Sequence, residues 1–170
     1  VGRLAARKGY GTLIRGFSAL NKEMPNTKLV IVGRGHLKRR LMRLAKSLGV
    51  GEDITIESSL SFAELAQLYR SSDLVVYPSF YEGQGLIPLE AMASGVPVVT
   101  VDHGPLPEMV DESVGALFTM GNIESMVSVM KEVLKAGRKK GEKGRARVLQ
   151  KFTYSGNAES FENIYLEAIN

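Results

Sequence analysis

The stretch Leu74-Val-Val-Tyr-Pro-Ser-Phe-Tyr-Glu-Gly-Gln-Gly85-Leu-Ile-Pro-Leu-Glu-Ala-Met-Ala-Ser-Gly95-Val-Pro-Val-Val-Thr-Val101 decides the fold. Leu74–Tyr77 and Val96–Val101 are short, nearly continuous apolar runs, the pattern of strands covered on both faces in a parallel sheet. Pro78-Ser79 ends the first run, and Gly83 and Gly85 shape a turn. A helix then starts near Leu86, and Gly95 sits where a helix stop belongs. Strand, turn, helix, strand in so few residues is a crossover between parallel strands, which is right-handed.

The same alternation extends both ways. Lys28–Val32, Asp53–Glu57 and a short run near Ala116–Phe118 are further strand candidates, and Arg3 closes another at the start. Leu13, Ile14, Phe17 and Leu20 share one helical face; so do Leu37, Leu41, Leu44, Ala45 and Leu48, the latter ending at Gly49. Ile123, Met126, Val127, Met130, Val133 and Leu134 form a third stripe. The fold expected is α/β, a Rossmann-like doubly wound parallel sheet. Residues 1–170 read as one domain: about 1–120 sheet and helices, about 122–170 a helical extension of three helices at 122–136, 138–151 and 157–169. Phe161, Ile164, Tyr165 and Ala168 form a stripe on the last, which must pack on this domain or on a neighbour.

The chain has 170 residues, 44% hydrophobic and 24% charged, which suits one globular domain with its own core. It has no cysteine, which excludes disulfides and thiolate-bound metal and suits a reducing, cytoplasmic setting. No apolar run approaches the ~20 residues of a membrane span, and no signal peptide is read at Val1. The net charge is +4, with nine Lys/Arg against two Glu between 131 and 151. That segment reads as a solvated helical face, or as a face for acidic lipid headgroups at a membrane surface. No aromatic or groove-reading motif accompanies it, so no nucleic-acid partner is expected.

In open parallel sheets, ligands bind beyond the carboxyl ends of the strands. Four segments lie there. Arg3 and Lys8, five apart at a strand-to-helix loop, would grip a diphosphate or stand as surface cations near a chain end. Val32-Gly-Arg-Gly-His36 lacks the third glycine of a dinucleotide fingerprint, since Lys38 stands there. Gly33 and Gly35 then serve either tight packing or a ligand approaching the backbone. In Glu82–Glu90, the free N–H groups of Gly85, Leu86 and Ile87 at a helix start make an anion site. Pro88 is tolerated in that first turn. Glu90, on a largely apolar helix, needs strong donors and suits ribose hydroxyls; Glu82 is placed to accept from sugar hydroxyls. Glu108 reads as a first-turn helix acid.

At these residues the chain resembles the C-terminal domain of family 4 glycosyltransferases, GT-B-fold hexosyltransferases. The likeness runs through Val1-Gly-Arg-Leu with Lys8-Gly9, Leu29-Val-Ile-Val-Gly-Arg-Gly-His-Leu37, Ser72-Asp-Leu-Val-Val-Tyr-Pro-Ser79, Glu82 to Val99, Pro107-Glu108 and Phe152-Thr-Tyr. The Glu-x7-Glu element is the most specific part. The resemblance implies that Arg3 and Lys8 bind the donor diphosphate and act with Glu82 in catalysis. It further implies that Glu82 holds the hexose, and that the backbone of Gly85, Leu86 and Ile87 meets phosphate. Glu90 would hold the ribose, Gly33 would line the cleft, and the base would lie near Ile56–Leu60. It implies retention of anomeric configuration, a UDP- or GDP-linked hexose as donor, and no metal or other cofactor. Transfer would need an N-terminal acceptor domain that this sequence does not contain. The chain departs from the pattern at Gln84 (an aromatic is usual), at Ser58 and at His103-Gly-Pro105. The alternatives are a UDP-sugar epimerase-like domain or a non-catalytic nucleotide-sugar-binding module.

Overall fold

Five short parallel strands alternate with helices along the chain. The computed structural model describes residues 1–169. A loop and a 3-10 turn, Ala6–Lys8, lead into α1 (Tyr10–Glu23), β1 (Leu29–Val32), α2 (Lys38–Ser47), β2 (Ile54–Glu57) and α3 (Phe62–Ser71). Then come β3 (Val75–Tyr77), α4 (Leu86–Ala93), β4 (Val98–Val101), the single turn α5 (Leu106–Met109) and β5 (Gly115–Phe118). The chain closes with α6 (Ile123–Ala136), α7 (Lys139–Lys151) and α8 (Tyr154–Ala168). The α/β class with parallel strands is therefore as expected.

The strands form two ladders rather than one sheet. β1 pairs with β2, Leu29 beside Ile54 and Val32 beside Glu57. β3, β4 and β5 pair in that order, Val75 beside Val98 and Val98 beside Gly115. Between β1 and β3 lies a slot of about 490 Å³, walled by Leu29, Val30 and Ile31 on one side and Leu74, Val75 and Val76 on the other. The candidate strand ending at Arg3 is a loop. Gly2 N–H donates to the Val32 carbonyl (2.9 Å) and Leu4 N–H to that of Arg34 (2.8 Å), so this segment runs beside the end of β1 and beyond it. The first four strands also begin later than expected, and β5 one residue earlier. Pro97 has no N–H to give a ladder, and β4 starts at Val98.

Three buried clusters hold the layers together. Leu13, Ile14 and Phe17 of α1 pack with Ile31, Leu41 and Ile54. Leu20, one turn further along the same helix, packs with Val99, Val101, Phe118 and Met126. Ala91 and Met92 of α4 meet Tyr69, Val98 and Val148. Gly141 lets α7 cross close to α4: a Cβ there would lie 2.1 Å from the Gly95 carbonyl oxygen.

The last helix starts at Tyr154, three residues earlier than expected, because the Thr153 hydroxyl accepts from Gly156 N–H (3.2 Å) and caps it. Its stripe does not pack on this domain. Phe161, Ile164 and Tyr165 are 62%, 59% and 69% exposed.

Candidate functional site

The site is assembled by the loop before α1 and the loop after β3. Gly9 takes a left-handed conformation (φ 69°), and a Cβ on it would lie 2.0 Å from the Pro78 carbonyl oxygen. Only glycine allows this approach. Phe80 N–H donates to the Arg7 carbonyl (2.8 Å), tying the two loops together. Lys8 is thereby brought against Glu82, 74 residues away, and the two form an ion pair. Their side chains are 15% and 13% exposed.

Two groups that the sequence reading missed complete this pair. Lys8 Nζ also donates to the Tyr77 hydroxyl (3.0 Å) and lies 5.4 Å from the centre of its ring. The Ser79 hydroxyl donates to Glu82 Oε1 (2.5 Å). Burial pushes the Glu82 carboxyl up, but hydrogen bonds from Lys8, Ser79 and Tyr77 outweigh it and leave it below the usual carboxylate range. Burial and then the hydrogen bond to Glu82 raise the Tyr77 phenol far above its ordinary value. Tyr77 thus remains protonated while its oxygen accepts from Lys8. The Thr100 hydroxyl fixes its backbone by donating to the Tyr77 carbonyl (2.8 Å).

Glu90 differs from expectation. It is exposed rather than sunk among the apolar residues of α4, and its donor is Tyr69, whose hydroxyl gives Oε2 a 3.0 Å bond. Helix α4 buries Pro88, Ala91 and Met92 instead, which turns Glu90 outward. Arg3 is exposed. Gly85 (φ 69°) precedes α4, no side chain caps that helix start, and Leu86 is exposed while Ile87 is half-buried.

Gly33 is explained by packing. A Cβ there would lie 1.9 Å from the Gly2 carbonyl oxygen, and one at Gly35 would lie 2.4 Å from that of Leu4. In the region expected for a base, Arg34 donates to Ser59 (2.8 Å) and Lys38 to Ser58 (3.4 Å). Glu108 lies in the first turn of α5, as read. The basic segment is partly committed to the protein. Arg138, Lys140, Arg145 and Arg147 donate to the backbone carbonyls of Arg70, Glu112 and Gly115, Ala93 and Met109, and Lys131 pairs with Glu23.

A parallel α/β domain with cations, carboxylates and an uncapped helix start at its strand ends belongs to the Rossmann-like class. The chain belongs to the glycosyl transferases group 1 family, whose model matches residues 1–148. It is 32% identical, over 100% of its length, to D-inositol 3-phosphate glycosyltransferase of Corynebacterium aurimucosum, and covers 42% of that protein. It is also 32% identical to the GDP-mannose-dependent alpha-(1-6)-phosphatidylinositol monomannoside mannosyltransferase of Mycolicibacterium smegmatis, with 85% of this chain and 40% of that protein covered. The crystal structure of the C-terminal domain of a group 1 glycosyl transferase (LpcC) from Francisella tularensis superposes with a TM-score of 0.82. The identity there is 27%, over 91% of this chain and 84% of that one. The chain thus spans about two fifths of the length of these two full-length relatives.

Proposed function

We propose that this chain is the donor-binding domain of a retaining hexosyltransferase, taking a UDP- or GDP-linked hexose. The observation that carries this reading is the Lys8–Glu82 pair: a cation for phosphate and a carboxylate for sugar hydroxyls, held side by side from distant parts of the chain. Arg3 and Lys8 grip the diphosphate, and the N–H groups of Gly85, Leu86 and Ile87 add the field of the α4 start. Glu82 accepts from the hexose and Glu90, oriented by Tyr69, from the ribose. Gly33, beside Gly2, lines the nucleotide cleft. When the donor bond breaks, these same cations meet the charge that develops on the departing diphosphate, with no metal or other cofactor required. The acceptor is bound by an N-terminal domain of the full-length enzyme, so this chain binds donor without transferring it. Among the described residues no helix is long and apolar enough to cross a membrane. The enzyme works in the cytoplasm, and the exposed Lys135, Lys139 and Lys143 face acidic lipid at its surface.

Calorimetry with UDP, GDP and ADP tests the reading. Micromolar to millimolar binding of UDP or GDP is expected, weakened about tenfold or more in Glu90→Ala. A folded chain that binds none of the three is instead an interaction module, and sugar transfer by the 170-residue chain alone would refute the divided active site.

A further inference from the structure

Lys8 and Glu82 neutralise each other in the arrangement described above, yet the proposed function needs both for a ligand. A diphosphate that takes Lys8 must take it from Glu82. The geometry shows what stays in place during such an exchange. Tyr77 is 4% exposed and its carbonyl is fixed by Thr100, so its ring and hydroxyl are anchored. Lys8 Nζ bonds that hydroxyl (3.0 Å) in addition to the carboxylate. Glu82 likewise keeps another donor, the hydroxyl of Ser79 (2.5 Å).

We propose that Tyr77 is a positioning residue that lets Lys8 change partners, so that a diphosphate taking Lys8 releases Glu82 to accept from the hexose. The proposal rests on the donor-binding reading and assigns that site an order. Lys8 pivots on the Tyr77 hydroxyl and ring while its ammonium moves from carboxylate to phosphate oxygen. Glu82 stays ionised through the exchange because Ser79 still donates to it. The acceptor lone pairs that Lys8 occupied become available to sugar hydroxyls. Phosphate recognition and sugar recognition are thereby coupled within one ligand: a free sugar meets a carboxylate already engaged, and a diphosphate-linked sugar meets one just freed. The ionisable groups that act on Glu82 are Lys8 from the turn before α1 and Tyr77 from β3, and Glu82 in turn acts on Tyr10 of α1.

The test follows the Glu82 carboxyl by ¹³C NMR between about pH 7 and 3, with inorganic pyrophosphate as probe. Saturating pyrophosphate should raise the Glu82 midpoint by about one pH unit in the parent chain, as Lys8 leaves it, and should not move it in Lys8→Met. Tyr77→Phe should raise the ligand-free midpoint by a similar amount and weaken pyrophosphate about tenfold by calorimetry. A purely packing role for Tyr77 predicts neither change, since the phenylalanine ring fills the same space. Pyrophosphate bound calorimetrically with the Glu82 midpoint unmoved overturns the exchange while leaving the donor site intact. An unchanged ligand-free midpoint in Tyr77→Phe overturns the positioning role. No binding to the parent chain overturns the donor reading and the exchange together.

Discussion

Asp111 shows how much one exposed carboxylate contributes when its donors are preset. It accepts from Ser113 N–H (2.9 Å), from the Ser113 hydroxyl (2.6 Å) and from Arg147 (2.5 Å). The hydrogen bonds from Ser113 first, and from Arg147 next, bring its carboxyl down to about 2 from an ordinary 3.8. A lowered folded-state value means stability that is present above about pH 4 and lost as pH falls towards 2. Asp111→Asn should therefore lower Tm by a few degrees at pH 7. The gap between parent and variant should close as both are melted at pH values falling from 4 to 2. At this scale the sequence was informative about charge and silent about its neighbours. Lys8 and Glu82 could be singled out as a cation and a carboxylate beside glycine turns, and the fold brings the two side chains together. Tyr69, Tyr77 and Ser79 were not, because a tyrosine at the end of an apolar strand or on a helix face looks like core. Only the fold shows that its hydroxyl reaches a carboxylate. The burial expected at Glu90 failed for a related reason. On a helix apolar nearly all round, composition cannot say which side faces out.

Helices were read more reliably than strands. A stripe repeated every three or four residues over ten or more positions leaves little room for error, and α1, α2 and α6 bury the stripes expected of them. A strand of three or four residues carries far less pattern, and one proline moves its start, as Pro97 does for β4. The first candidate strand, ending at Arg3, failed because only Gly2 and Leu4 N–H reach across to the backbone at the end of β1 and just after it. Helix contacts lead to two predictions. Gly141→Ala puts a methyl group into the Gly95 backbone, and with no flexible side chain there to yield it should cost about 1–3 kcal/mol. A Tm lower by roughly 3–10 °C in calorimetry would show it. In contrast, a stop codon replacing Tyr154 removes a helix whose apolar face is exposed throughout, so Tm should change by less than about 2 °C. A large loss would mean that α8 supports the domain.

Across the whole molecule, the two ladders share a class with the single sheet that was expected and differ from it in one respect: backbone hydrogen bonds do not run from β1 to β3. Class was legible because alternation of strand and helix specifies parallel packing whatever the strand order. Continuity was not, because adjacency in a sheet is a property of spatial order that apolar runs do not encode. α1 bridges the gap, sending Leu13, Ile14 and Phe17 into one buried cluster and Leu20 into the other. The slot therefore bears on cooperativity. A sheet transmits unfolding from strand to strand, whereas here the β1–β2 half and the β3–β5 half communicate chiefly through side chains. Phe17→Ala should destabilise by about 3–5 kcal/mol and also split the melt. The ratio of calorimetric to van't Hoff enthalpy, near one for an all-or-none domain, should rise above one as β1 and β2 melt ahead of the rest. A sharp single transition in that variant would show that the halves are joined by more than α1. In mechanical terms the slot is a seam between β1 and β3, and α1 is the stitch across it.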